Sequence, residues 1–130
     1  MKKDELVDAL KERFPDFAET NDHDDVYLLY GSFGSFFLDV INFYILNTCE
    51  PRNYFYCKVE CFYKDRKDLD KEIEKIFLFV DELYINANAE TIDVLNTCIF
   101  EAMMGNVFCD ELVKKYLSKA ACHHYFKIAG

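Results

Sequence analysis

The chain has 130 residues, of which 52% are hydrophobic and 17% aromatic, and its formal net charge is −9. This composition excludes a disordered chain, and the length is sufficient for one domain whose core needs neither a metal nor a disulfide. The negative charge argues against binding to nucleic acid or to anionic lipid, because an acidic surface repels phosphate groups.

The beginning of the chain predicts one helix and an acidic loop. Apolar residues recur at helical spacing over residues 4–14, and Pro15 is expected to end that helix. Residues 16–25 are polar and acidic, and they end in the adjacent acids Asp24 and Asp25. We interpret this segment as a loop whose last residues cap the following helix.

Residues 26–48 are rich in Phe, Tyr, Leu and Ile, and Asp39 is the single charged residue among them. The segment is long enough to span a bilayer, but Asp39 lies near its middle, and Asn42 and Asn47 add further polar groups. We therefore predict a buried central helix. Asp39 and Glu101 each interrupt an apolar segment, so each should pair, cap a helix or point outward rather than have a raised pKa.

Along residues 54–63, apolar and charged side chains alternate, so that in an extended chain they would lie on opposite sides. This alternation predicts one short strand or hairpin in this region. A lone strand leaves its backbone hydrogen-bonding groups unpaired, so it would have to pair with another segment or with a partner chain. The alternative is that the segment is helical. The residues on one side are Phe55, Cys57, Val59, Cys61 and Tyr63, and those on the other are Lys58 and Glu60.

Residues 68–104 predict two amphipathic helices, with Asp68 capping the first and residues 86–89 forming a short break between them. Because the connection is short, the two helices should pack antiparallel and share a core. The first apolar series is Leu69, Ile73, Ile76, Phe77, Val80, Leu83 and Tyr84, and the second is Ile92, Leu95, Ile99, Ala102 and Met103.

The remaining segment predicts another helix over residues 108–120, after a helix end at Gly105 and Asn106. Residues 121–130 are either its extension or a short final helix. Together these elements predict a mainly α fold, a compact bundle of about five helices with antiparallel helical hairpins, in a single domain over residues 1–130.

The cysteines raise the question of a metal site. The chain opens on a charged amphipathic segment without a secretory signal, so we expect a cytoplasmic protein whose six cysteines are free thiols. Zinc could be held by Cys57, Cys61, Cys122 and His123 only if residues 57–61 were helical. On a strand the two sulfurs would lie about 13 Å apart, too far for one ion. We therefore expect neither a metal nor another cofactor.

Residues 76–83, with the sequence IFLFVDEL, are followed by IDVL at 92–95 and IFEA at 99–102. This order resembles small acidic bacterial helical domains, some of which resemble immunity proteins encoded beside polymorphic toxins. The resemblance implies a non-enzymatic protein-binding domain, an inhibitor whose acidic helix face covers the basic active site of a toxin. The residues expected to bind the partner are Glu72, Glu74, Asp81, Glu82 and Glu90.

Two other functions remain open from the sequence. The Cys and His residues could serve a metalloprotein or an enzyme, and the Phe-rich and Tyr-rich surface could be buried in a homodimer that acts as a structural subunit. The negative charge itself has a simpler explanation, since it would also keep a protein with thirteen Phe residues in solution. No feature of the sequence predicts a membrane or a nucleic acid as partner.

Overall fold

A computed structural model describes residues 2–46, 66–104 and 107–129, and within these ranges the chain is helical and contains no strand. This confirms the mainly α fold class. The fifth helix, α5, is continuous over residues 89–103 and consists of Ala89–Val94, a π-helical segment Leu95–Phe100, and Glu101–Met103. The other helices are α1 Lys3–Arg13, α2 Pro15–Thr20, α3 Val26–Leu46, α4 Arg66–Ile85, α6 Val107–Tyr116 and α7 Lys119–Ala129.

Side-chain caps begin α3 and α5. The carboxylate of Asp25 accepts hydrogen bonds from the backbone N–H groups of Tyr27 and Leu28, both at 3.0 Å, which confirms the predicted cap before α3. At the start of α5, the side-chain oxygen of Asn88 accepts from the N–H of Thr91 at 2.9 Å. The break between α4 and α5 therefore ends in a residue whose side chain starts the next helix.

The predicted loop over residues 16–25 is partly wrong, because α2 occupies residues 15–20. Pro15 is the first residue of α2, a position where its missing N–H is no loss and its fixed φ suits a helix. Phe17 is the one buried residue of α2, and its ring lies 5.2 Å from that of Phe33. The cap predicted at Asp68 is also wrong, since α4 already begins at Arg66.

Helix α3 lies at the centre of the fold and contacts α1, α4 and α5. Its buried face includes Phe33 and Phe37, and the ring of Phe33 lies 4.9 Å from that of Phe14 in the turn between α1 and α2. Phe37 meets Phe77 of α4 with ring centroids 5.0 Å apart. The buried residues of these elements form one hydrophobic core, as predicted for a central α3.

The π-helical segment packs very closely on α3 at Gly34. A Cβ atom placed on Gly34 would lie 2.1 Å from the carbonyl oxygen of Cys98. Glycine is thus required here because a backbone atom of α5 occupies the space of a side chain. Cys98 and Cys109 are both buried, neither forms a disulfide with another described residue, and burial raises the pKa of Cys98 to about 11.

Helix α4 buries the predicted stripe from Ile73 onward and one further aromatic residue, while the side chain of Leu69 lies outside the described part of the chain. Ile73, Ile76, Phe77, Val80 and Leu83 are all buried, and Tyr84 is half-buried. Phe79 is also buried although it was absent from the predicted series, because it packs edge-on against Phe14 at 5.4 Å. The buried face of α4 is therefore wider than its sequence periodicity indicates.

Asp39 departs from the expectation of an ion pair or a cap. One of its carboxylate oxygens is buried and has no hydrogen-bond partner among the described residues. Burial raises the pKa of this carboxyl to about 6, so the expectation against a raised pKa is wrong. Glu101 is exposed, in line with the outward orientation that was one of the alternatives.

No helix within the described ranges is long and apolar enough to cross a membrane, and this includes α3 as far as it is described. The strand or hairpin predicted for residues 54–63 lies outside the described residues, and so do Cys57, Cys61, Gly105 and Asn106.

Candidate partner-binding surface

The side of α4 opposite its buried stripe carries two exposed aliphatic side chains. Leu78 is 47% exposed and Ile85 is 63% exposed. They lie two helical turns apart, so they belong to the same face of the helix. Glu74 lies one turn before Leu78 and Glu82 one turn after it, and both acids are exposed. We call Glu74, Leu78, Glu82 and Ile85 the outer face of α4.

The predicted acids Glu74 and Glu82 therefore share one surface, but Glu82 also has an internal partner. Its carboxylate forms an ion pair with the guanidinium of Arg13 at 2.6 Å. The same guanidinium lies over the ring of Phe79, 5.4 Å from its centroid. This contact connects the end of α1 to α4 at the edge of the outer face.

Asp81 has a structural role at the other edge of α4. It is half-buried, and its carboxylate accepts a hydrogen bond from the backbone N–H of Ser118 at 3.1 Å. The hydroxyl of Ser118 in turn accepts from the N–H of Ala121 in the first turn of α7, at 3.3 Å. Asp81 thus holds the start of α7 against α4 and is less available to a partner than Glu74.

The remaining two predicted acids lie elsewhere. Glu72 is half-buried and lines a small pocket of about 100 Å³ where α2 meets α4, together with Lys75 and Phe14. The ammonium of Lys75 lies 4.6 Å from the centroid of the Phe14 ring. Glu90 is exposed in the first turn of α5. The five predicted acids therefore do not form one continuous face.

A larger cleft opens between α1 and α4, with a cavity volume of about 460 Å³. We call it the α1–α4 cleft. Its size lies within the range of small-molecule sites in proteins, which is about 300–1,000 Å³. Its lining residues are Ala9, Glu12, Arg13, Phe79, Glu82, Leu83, Asn86 and Thr91. The sequence did not predict this cleft, because it depends on how α1 lies beside α4.

The Cys and His residues do not assemble a metal site in the part of the chain that is described, where no group of three or more potential ligands lies together. Cys122 is half-buried and His123 is exposed on α7. The neighbouring His124 shares a hydrogen bond of 2.8 Å with the side-chain oxygen of Asn96, between two aromatic rings. Burial lowers the pKa of His124, which favours the neutral ring and a packing role.

Comparisons of the chain with models of protein families, with curated proteins and with solved structures found no match.

Proposed function

We propose that this chain is a non-enzymatic protein-binding domain that receives a basic partner on the outer face of α4. The observation that carries the proposal is the exposure of Leu78 and Ile85 on one acidic helix face. Aliphatic side chains surrounded by charged residues are typical of the centre and rim of a protein interface. The two leucine-sized anchors would be buried by the partner, and the acids would contact its basic rim.

The charge of the chain supports a basic partner. A net charge of −9 attracts positively charged proteins over a distance comparable with the Debye length and accelerates their association. Glu74 and Glu82 then fix the orientation of the complex, since like charges in a wrong partner would be repelled. Within this proposal the finer assignment is an immunity-type inhibitor, which would cover the basic active site of a bacterial toxin.

The test uses the proteins encoded by the genes next to that of this chain. Each is expressed with and without the chain, and growth and complex formation are measured. We expect one neighbour to be toxic alone, to be neutralised by the chain and to bind it. The double substitution Leu78→Asp with Ile85→Asp should weaken binding at least about 100-fold, since buried anchors each contribute about 2 kcal/mol or more.

Leu28 supplies the matched control because it is the third large exposed hydrophobic side chain among the described residues, 59% exposed, and it lies on α3. Leu28→Asp should bind like the wild type. Equal binding by the wild type and the α4 double variant would overturn the proposal. A homodimer that dissociates only in the α4 double variant, observed by analytical ultracentrifugation, would instead assign this face to self-association.

A further inference from the structure

We propose that the α1–α4 cleft binds the guanidinium group of an arginine side chain supplied by the partner protein. This inference rests on the proposed function and names the chemistry by which the partner is recognised. The cleft adjoins the outer face of α4, because Glu82 belongs to both surfaces. An arginine beside the segment that covers Leu78 and Ile85 would therefore reach the cleft.

Arg13 shows how a guanidinium is accommodated at this place. It pairs with the carboxylate of Glu82 at 2.6 Å and lies over the ring of Phe79 at 5.4 Å. A carboxylate together with an aromatic face satisfies both the hydrogen-bond donors and the planar surface of a guanidinium. An incoming lysine ammonium would pair with the carboxylates of the cleft less well, since it is a compact charge without the planar fork of donors that a guanidinium presents.

The cleft also has a second carboxylate and room for a second cation. Glu12 lines it, is exposed, and forms no ion pair with another described residue. With Glu12 and Glu82 negative and Arg13 positive, the charged lining sums to −1, which one incoming guanidinium would neutralise. Ala9 and Leu83 provide apolar surface for the methylene stem of the incoming side chain.

The experiment is a titration of the whole chain with N-acetyl-L-argininamide, followed by the backbone amide signals in NMR spectra. We expect saturable shifts at residues of the cleft, with Glu12, Glu82 and Asn86 among them. The uncharged analogue N-acetyl-L-citrullinamide has nearly the same shape and should produce no saturable shift. N-acetyl-L-lysinamide should bind more weakly because it lacks the planar donor group.

Glu12→Gln provides the test by substitution. It removes one charge from the cleft without changing the size of the side chain, so it should weaken binding of N-acetyl-L-argininamide about fivefold or more. Glu101→Gln is the control, because Glu101 is exposed on α5 and does not line the cleft. The spectrum of each variant also reports whether it is folded.

Several results would overturn the inference: the absence of a saturable shift, equal binding of the citrulline or lysine analogue, or an unchanged affinity in Glu12→Gln. These failures are distinct from a failure of the proposed function. If arginine does not bind but the partner is lost in the Leu78→Asp and Ile85→Asp variant, only the assignment of the cleft is wrong. If arginine binds and no partner is found, the arginine site stands without its proposed source.

Discussion

Asp39 places one carboxylate oxygen inside the protein, and this single group should make folding stability depend on pH. Because burial raises the pKa of Asp39 to about 6, the folded state holds the proton more tightly than the unfolded chain does. The stabilisation of the folded state by the protonated Asp39 carboxyl is fully present below the pKa of this group in the unfolded chain, which is about 4. It is lost as the pH rises toward and beyond 6, where the buried group must become charged.

Asp39→Asn should therefore raise the free energy of unfolding at pH 7, and should change it little at pH 4. We expect a gain of about 1 kcal/mol at pH 7, less than the full pKa shift would imply, because the residue is only half-buried. Urea denaturation at the two pH values measures the difference. Asp8→Asn, at an exposed position of α1, should show no such dependence. A destabilised Asp39→Asn variant at pH 7 would mean that the carboxylate has a favourable partner.

At the scale of the elements, the close contact between α3 and the π-helical segment of α5 depends on Gly34, which has no side chain. Gly34→Ala would bring a Cβ atom to 2.1 Å from the carbonyl oxygen of Cys98, and a backbone atom in a packed helix cannot easily move away. We expect a loss of about 1–3 kcal/mol in the free energy of unfolding, in the range of overpacked cores. Thermal or urea unfolding measures it.

Gly31 is the matched control for Gly34, since it lies on the same helix and a Cβ there would meet no atom of the described residues within 4 Å. Gly31→Ala should stabilise the protein by up to about 1 kcal/mol, because alanine is the better helix former. Equal effects of the two substitutions would contradict the close approach of α3 and α5.

The elements that the sequence predicted well are those with a long apolar period. The period over residues 69–84 gave the inward orientation of α4, and the same orientation exposes Glu74. Helix α2 is not evident from the sequence, because Pro15 is expected to end the preceding helix although proline also suits the first turn of a helix. The π-helical segment is not evident from the sequence, because its i→i+5 hydrogen bonds change the helical period over only six residues.

The candidate site was only partly predictable, because some of its contacts join residues that are far apart in the sequence. Glu74 and Glu82 could be placed on the polar side of α4 from periodicity alone. The role of Asp81 depends on Ser118, and that of Glu82 on Arg13, and these pairs join residues far apart in the sequence. Leu78 and Ile85 do indicate an exposed apolar face in the sequence, since they are aliphatic, one heptad apart and absent from the buried stripe.

At the scale of the whole molecule, the proposed function assigns separate roles to the negative charge and to the outer face of α4. Under this proposal the net charge of −9 would attract the basic partner from a distance, an effect that weakens as salt screens it. The aliphatic pair would hold the partner after contact, an effect that depends little on salt. A surface that used charge alone would lose the partner at high ionic strength.

The most direct measurement is the rate of association between the chain and the proposed basic partner as a function of ionic strength. Glu74→Lys reverses a charge on the outer face, one turn before Leu78, and leaves Asp81 in place to support α7. We expect its association rate to fall about tenfold at low salt and to converge with that of the wild type at high salt. Glu101→Lys, which makes the same change of net charge on α5, should slow association much less. Equal rates for the wild type and Glu74→Lys, or equal slowing by the two variants, would contradict binding at the outer face of α4.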